Sequence, residues 1–516
     1  MIDPTRRRVL ALLGSSGVLA ACSSLPAAPR QPVAPPAPGL RFDPAAFTPR
    51  SITVEGTTLA IRAYEGLAYV ARPVEPAYQC LNLYIPAAYF DGGEVGGFTA
   101  ATAPIFLPNQ VGGYMPALPG KLDGRAFGPP PGSGQAPAAA LPNAIQYALS
   151  RGFVVAAPGA RGRTLQAASG QYTGKAPAAI VDLKAAVRYL RANRERLPGN
   201  TERIISNGTS AGGALSALLG ASGGQADYAP YLAALGAADA RDDIFAVSAY
   251  CPITNLAHAD AAYEWQFAGV DSYRKIDISM LDYQVQRKTV SGTLDERQRE
   301  VSAALAASFP AYVNSLNLRA PDGSALQLSA DGQGTFRDYV ASLLLQSART
   351  ALAQGRDLSA LDWLQWQGGQ PVALRWPQYL AYLGRMKTPP AFDALDGSSG
   401  ENQLFGSASE DKRHFTAFGK QHGTQATIGQ AEAAVVRMME PLSYIGQGGG
   451  QPAAHWRIRH GSKDSDTSLA VPVMLATVLR KHGYAVDLAL PWDVPHSGDY
   501  DLPALFDWAT AISRAG

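Results

Sequence analysis

The run Asn207-Gly208-Thr209-Ser210-Ala211-Gly212-Gly213 holds a serine between two glycines at the spacing Gly-x-Ser-x-Gly. A serine presented on a sharp strand-to-helix turn needs tiny neighbours, because the chain doubles back on itself there. The β-branched residues Ile204 and Ile205 precede the run, and the helix formers Ala214, Leu215, Ala217, Leu218 and Leu219 follow it. That context makes Ser210 a candidate nucleophile for acyl transfer; the plain alternative is a glycine-rich structural turn. A helix starting at Ala211 would aim its dipole and free N–H groups at a developing oxyanion. Ala211 supplies one donor. A second donor belongs in the loop Pro108-Asn109-Gln110-Val111-Gly112-Gly113-Tyr114, whose Gly-Gly pair lets the backbone approach a substrate carbonyl. Here the alternative is an ordinary tight turn.

A serine nucleophile needs a base, and in this type of fold the chain order is Ser, then acid, then His. All seven histidines follow Ser210. His482 ends a helical stretch beside Lys481 and Gly483. His455 and His460 bracket a strand that precedes any candidate acid. His258, His414 and His422 fall in a region with a different pattern. His496 stands just past the last strand, in Pro491-Trp492-Asp493-Val494-Pro495-His496, where the base belongs. The acid should follow the preceding strand, which leads into Gly461-Ser462-Lys463-Asp464-Ser465-Asp466. From spacing, Asp464 and Asp466 are near-equal candidates, and either could instead cap the next helix. Asp493, three residues from His496, is a weaker partner.

These residues must be positioned by alternating strands and helices. Strand-like runs occur at Tyr78–Ile85, Pro104–Leu107, Phe153–Ala157, Arg203–Ser206 and Ile244–Tyr250. Ile180, Leu183, Val187 and Leu190 mark one apolar helix face, and Pro198-Gly199-Asn200 closes that stretch. Such alternation predicts an α/β fold with a mostly parallel sheet covered on both faces. It lapses over 254–441, where helices are expected at Glu296–Ala307 and Phe336–Ala353. Strands return at His455–His460 and Ala485–Leu490 around a helix at Ser468–Lys481. The expected organisation is a core over 42–253 and 442–516, interrupted by an insertion at 254–441.

The composition fits such a chain. The sequence has 516 residues, 47% hydrophobic and 17% charged, too apolar for disorder and long enough for a large core. Without residues 1–21, which carry Arg6, Arg7, Arg8 and Asp3, 41 basic and 41 acidic residues remain. That balance argues against a nucleic-acid partner. No apolar run reaches the roughly 18 residues of a membrane helix. The three cysteines form no CxxC and no zinc spacing, and no metal or organic cofactor is implied. The N-terminus reads as an export signal over 1–21: paired arginines, an apolar run from Val9 to Ala21, then Leu19-Ala20-Ala21-Cys22. This resembles a twin-arginine signal ending in a lipobox, with Cys22 lipidated and 22–41 a Pro- and Ala-rich tether. The plain alternative is an ordinary cleaved signal. The expected location is an exported bacterial lipoprotein, membrane-anchored through Cys22 alone and facing the periplasm or cell surface. Cys80 and Cys251 lie in apolar runs and read as core residues, with a bridge between them as the alternative.

Several long stretches together carry a family resemblance: Ala103–Tyr114, Arg203–Gly213, Asp243–Phe267, His455–Asp466 and Ala489–Leu502. Over roughly residues 50–515 the chain resembles the bacterial tannases, tannin acyl hydrolases of the α/β-hydrolase fold. The resemblance implies a triad of Ser210, Asp464 and His496, with oxyanion donors at Gly113 and Ala211. It implies a lid domain over 254–441 that binds the galloyl ring. Lys387, Glu401 and Asp466 would meet the three ring hydroxyls, and Ile253 would lie against the ring. Phenol hydroxyls donate to carboxylates and accept from ammonium, so a cluster of both signs suits them. Read alone, Lys387 and Glu401 are solvated surface charges. The chain departs from the typical bacterial member in its lipoprotein-like start and in a longer loop over 115–141, which puts the accepted alcohol size in doubt. The fungal tannase type pairs cysteines beside serine and histidine, where this chain has Asn207 and Ser497.

The function expected is therefore a serine esterase acting on a small-molecule galloyl ester, with no protein partner evident. A feruloyl or other aryl carboxylesterase with the same triad is the alternative. A serine peptidase and a non-catalytic surface lipoprotein of the same shape are the remaining classes.

Overall fold

The computed structural model describes residues 38–124, 142–281 and 284–515. The export segment, Cys22, residues 22–37 of the tether and residues 125–141 of the long loop lie outside the described residues. Among those described, nine strands form one sheet in the order β1-β2-β3-β5-β4-β6-β7-β12-β13. They are β1 (Thr48–Val54), β2 (Thr57–Ala68), β3 (Cys80–Pro86), β4 (Pro104–Pro108), β5 (Val154–Pro158), β6 (Asn200–Thr209), β7 (Ala246–Tyr250), then β12 (His455–Arg459) and β13 (Ala485–Ala489). The pairs from β1 to β5 through β3 are antiparallel, and every later pair is parallel. The sheet is thus mixed, with the expected parallel part at its centre.

Strands β4, β5 and β7 are buried at every position, as strands covered on both faces must be. One cover is the helix Ala178–Ala192, which buries Ile180, Leu183, Val187 and Leu190, the face read from the sequence. The helix Ala211–Ala221 is buried throughout. Ala470–Lys481 packs against β12 and β13, and Leu502–Arg514 packs nearer the centre of the sheet, its Phe506 ring 5.0 Å from that of Phe106 in β4. Strand order reverses around β4, so the loops after β4, β6, β7, β12 and β13 open along one edge, the usual place for a site in an open α/β sheet.

Among the described residues, segment 254–441 adds no strand to this sheet. Its helices Glu296–Ser315 and Thr335–Ala353 match the expected ones. It also contains two antiparallel strand pairs that the reading missed: β8 (Ser272–Leu281) with β9 (Gln284–Thr293), and β10 (Leu364–Gln367) with β11 (Gln370–Leu374). Neither pair has a continuous apolar run. The second pair is mostly exposed and turns at Gly368-Gly369, both at positive φ, so its signal was the turn rather than the strands. Cys80 and Cys251 are both free thiols, which excludes the bridge; Cys251 is buried as a core residue should be, whereas Cys80, at the start of β3, is half-buried.

Candidate active site

Ser210 sits between β6 and the helix Ala211–Ala221 with φ 60° and ψ −122°, a conformation costing a non-glycine residue about 1–3 kcal/mol. Its surroundings over-determine it. The Ser210 N–H donates to Tyr250 C=O at 3.0 Å, and its own C=O accepts from Ala214 N–H at 2.9 Å. A Cβ on Gly208 would lie 2.3 Å from Gly212 O, and one on Gly212 would lie 2.7 Å from Val111 O. Glycine is required at both by backbone contact. Asn109, at the end of β4, ties the turn together: its Nδ2 donates to Gly212 C=O at 3.0 Å and to Ser216 Oγ at 2.9 Å. The sequence offered no signal for that role beyond the position of Asn109 at a strand end.

Asp464 and His496 come from the loops after β12 and β13. These loops are bonded to each other: Ser462 N–H to Pro491 C=O at 2.9 Å, Lys463 N–H to Val494 C=O at 3.1 Å, and Asp493 N–H to Ser462 Oγ at 2.8 Å. The result is Asp464 Oδ2 at 2.8 Å from His496 Nδ1. Asp464 is fully buried, and its other oxygen accepts the Asp466 N–H at 2.9 Å. Burial works to raise its carboxyl, but the imidazoles of His496 and His460 and these hydrogen bonds outweigh it and hold it at about 2. Burial works to lower His496, yet Asp464, then Cys251 and Asp466, carry it well above its ordinary 6.5. Asp493 instead pairs with Lys463 at 3.2 Å and accepts from Tyr382 Oη at 2.9 Å. Neither Asp464 nor Asp466 caps the next helix, whose N-cap is Leu469.

Among the described residues no hydrogen bond joins Ser210 to His496. The Nε2 side of the ring faces Cys251 Sγ at 3.8 Å and Asp466 Oδ2 at 3.9 Å. Serine–histidine contacts are often loose without substrate. Cys251, read from sequence as core, is buried but adjoins this ring; it follows β7 at φ 35°. Cys251, Asp464 and His496 bring their ligand atoms within 4.8 Å of one another. Asp464 and Cys251, however, meet opposite nitrogens of one imidazole, an arrangement that suits a proton relay better than a shared cation.

Lys387 reaches this place from segment 254–441. Its Nζ lies 3.2 Å from Asp466 Oδ2 and 4.0 Å from the centroid of the Phe392 ring. Tyr263 is the organiser that the sequence did not reveal. Its hydroxyl donates to Ser465 C=O at 3.0 Å and accepts from the N–H groups of Met386 and Lys387, each at 3.0 Å. One phenol therefore fixes the Lys387 backbone against the chain between Asp464 and Asp466. Beside it, Arg385 pairs with Glu264, both side chains fully buried, and Arg385 Nε donates to Lys387 C=O at 2.8 Å. For Asp466, burial is outweighed by Lys387 and His496, so its carboxyl is held below the ordinary value.

Glu401 lies on the short helix Gly400–Leu404, capped by Ser399, whose Oγ accepts the Asn402 N–H at 2.9 Å. Asn402 Nδ2 donates to Asp393 Oδ1 at 2.7 Å, and Asp260 accepts the N–H groups of Phe392 and Asp393 at 2.6 and 3.0 Å. These carboxylates hold the Glu401 helix and the Phe392 loop together. Burial raises the Glu401 carboxyl, with Lys387 the largest opposing influence and Asp466 adding to the rise. Lys387 and Glu401 are thus half-buried members of a charge cluster, not solvated charges. Ile253 is buried; its N–H points at Ser210 C=O at 3.4 Å, and Tyr114 Oη donates to its C=O at 3.4 Å. Ala211 is buried at the helix start, and Gly113 is exposed at φ 54° in the loop after β4. Arg163, also missed, bonds Gly113 C=O through Nε at 2.8 Å. Its signal was its place just past the C-terminal end of a buried parallel strand, β5.

Comparison with known proteins gives the following. Residues 132–300 match the BD-FAE family model. No curated protein matches the chain. Among solved structures it is similar to a tannase from Lactobacillus plantarum, at 47% identity over 92% of this chain and 100% of that chain, with a TM-score of 0.86. It is similar to Fusobacterium nucleatum tannase at 46% identity over 92% and 99%, TM-score 0.86. It is also similar to a tannin acyl hydrolase in complex with ethyl gallate, at 47% identity over 92% and 99%, TM-score 0.84.

Proposed function

The chain belongs to the bacterial tannases, and from that premise we propose that it is a serine esterase hydrolysing galloyl esters to gallic acid and an alcohol. One observation carries the reading. Asp466 Oδ2 lies 3.9 Å from His496 Nε2 and 3.2 Å from Lys387 Nζ, so the phenol-binding charges and the proton-transferring ring converge on one spot. A similar tannin acyl hydrolase has been crystallised with ethyl gallate, a ligand of the chemistry this cluster suits.

In this reading Ser210 Oγ attacks the ester carbonyl while His496 Nε2 takes its proton. Asp464 holds the imidazole through Nδ1 and stabilises its charged form. The N–H groups of Ala211 and Gly113 receive the oxyanion. His496 returns the proton to the departing alcohol, leaving a galloyl ester on Ser210. Water, deprotonated by His496, attacks that ester; its collapse releases gallic acid and restores the serine. Segment 254–441 acts as a lid. Through Lys387, Glu401 and, from the core, Asp466 it binds the three ring hydroxyls, with Ile253 against the ring. Ring recognition then sits on the acyl side, and the alcohol is left to the outer loops.

The test is turnover of methyl gallate by the wild type and by Ser210→Ala, with methyl ferulate alongside. The expected result is a kcat loss of about 10³ or more for the variant and a strong preference for gallate. Near-normal turnover by Ser210→Ala would overturn the serine mechanism, and faster ferulate hydrolysis would replace the substrate. We also place the mature protein at a membrane, exported and anchored by a lipid on Cys22. Cys22→Ser should keep activity and move the protein to the soluble fraction. A soluble wild type cut elsewhere would refute the anchor.

A further inference from the structure

Arg163 joins two parts of the site that the sequence keeps far apart. Its backbone is fastened to the loop after β4: Arg163 N–H donates to Tyr114 C=O at 2.9 Å, and a bridge pairs Ala117 with Ala160. Between them the chains pass so closely that a Cβ on Gly162 would lie 2.1 Å from Pro116 N. From this anchor the side chain reaches in two directions. Nε donates to Gly113 C=O at 2.8 Å, and Nη1 donates to Gln403 Oε1 on the Glu401 helix. Gly400, first in that helix, lies against the guanidinium, with its Cβ position 3.1 Å from Cζ. A guanidinium directs its donors along fixed lines in one plane, so these two bonds set the distance and angle between loop and helix.

The loop needs such a hold. Gly112 C=O accepts Met115 N–H at 2.9 Å, closing a four-residue turn whose centre, Gly113 and Tyr114, has φ 54° and 56°. Two positive φ values make a type I′ turn, and the second falls on a tyrosine, which does not favour that region. Rotating the central peptide, which carries the Gly113 C=O and the Tyr114 N–H, would give a type II′ turn, return Tyr114 to negative φ and reshape the loop that presents the neighbouring Gly113 N–H. Gly113 is exposed, with no neighbouring atom within 4 Å of its Cβ position, so no contact at that position opposes the rotation. The Arg163 Nε bond to Gly113 C=O does.

We propose that Arg163 is a positioning residue that, through the Gly113 C=O, holds the loop carrying the Gly113 oxyanion N–H in one state and locks that loop to the helix carrying Glu401. It rests on the reading of Gly113 as an oxyanion donor given above. Carbonyl activation and ring recognition then share one rigid tie, so a galloyl group seated by its hydroxyls presents its ester oxygen to a preformed donor.

The test compares wild type, Arg163→Ala and Arg163→Lys on methyl gallate and on p-nitrophenyl acetate, with gallate affinity measured by calorimetry and folding by thermal melting. Loss of a whole oxyanion donor costs about 10²–10³ in kcat; a loosened donor should cost less, about 10–100-fold, on both esters. Gallate affinity should stay within about threefold, because the ring contacts remain. Arg163→Lys, which can reach the Gly113 carbonyl but not Gln403 as well, should recover most of the acetate rate and less of the gallate rate. It serves alone if the alanine variant melts early. An unchanged kcat on the acetate for both variants overturns the proposal. So does a loss confined to gallate and matched by lost gallate affinity, which would make Arg163 a ring contact. A wild type inactive on methyl gallate would instead fail the parent reading.

Discussion

Asp464 and Asp466 are two residues apart, and exchanging each for asparagine separates chemistry from recognition. Asp464 meets the base through the 2.8 Å bond of its Oδ2 to His496 Nδ1, while its Oδ1 accepts the Asp466 N–H at 2.9 Å. Asp464→Asn should lower kcat by up to about 10⁴ on every ester, since the histidine loses its orienting partner. Asp466→Asn should act in two smaller ways. It removes a charge-assisted bond to a ring hydroxyl, worth about 1.5–3 kcal/mol, or roughly 10- to 150-fold in kcat/KM on methyl gallate. On p-nitrophenyl acetate that loss should vanish. It also removes a negative charge near the base. At the 3.9 Å from Asp466 Oδ2 to His496 Nε2, Coulomb's law gives about 1 kcal/mol in a water-like dielectric and about 4 kcal/mol at a dielectric of about 20. Both side chains are partly exposed, and Lys387 at 3.2 Å offsets much of the charge, so the lower figure applies. His496 must be neutral to accept a proton. With its pKa raised, activity falls as pH drops through a midpoint above 6.5. Asp466→Asn should move that acid limb down by about 0.8 pH unit, whichever ester is used. The assay is kcat/KM against pH on both esters. A larger acetate loss for Asp466→Asn than for Asp464→Asn would exchange the two roles, and an acid limb that stays put would refute the electrostatic argument.

Lys387→Ala and Glu401→Ala should each lower kcat/KM on methyl gallate by about 1–3 kcal/mol and leave methyl benzoate hydrolysis nearly unchanged. Equal losses on both esters would mean that these residues only support folding. Glu264→Ala leaves Arg385 buried without its partner and should cost about 3–5 kcal/mol in denaturant unfolding, with weaker gallate binding because Arg385 braces Lys387. A loss under about 1 kcal/mol would remove that brace from the account. Asn109→Ala removes donors to Gly212 C=O and Ser216 Oγ and should cost about 1–3 kcal/mol of stability, with a lower kcat from a looser elbow. An unchanged kcat would show that the elbow holds without it.

The turn that presents Ser210, the place of His496 after the last strand and the parallel part of the sheet were legible because each leaves a local mark. Gly208 is fixed by a backbone contact within the turn itself, to Gly212 O, and Gly212 by the close approach of Val111 O. Strands β4, β5 and β7 are buried on both faces and so read as apolar runs, and His496 follows the last of the strands. Chain spacing could not separate Asp464 from Asp466; the family resemblance favoured Asp464, and the fold places it on Nδ1 while turning Asp466 toward Lys387. Other features exist only between distant segments. Tyr263 bonds Lys387 and Ser465, 124 and 202 positions after itself, and nothing in its neighbours announces that. The same holds for Arg163 with Gln403, and for Cys251, whose apolar setting marks a core residue until the His496 ring is brought beside it. Lys387 and Glu401 look like surface charges in sequence, because a charge is classed by its neighbours along the chain. Only folding segment 254–441 against the loops after β12 and β13 half-buries them and sets opposite charges around one spot. Local sterics and periodicity are encoded within a few residues, whereas a polar cluster assembled from remote loops is decided by tertiary contact.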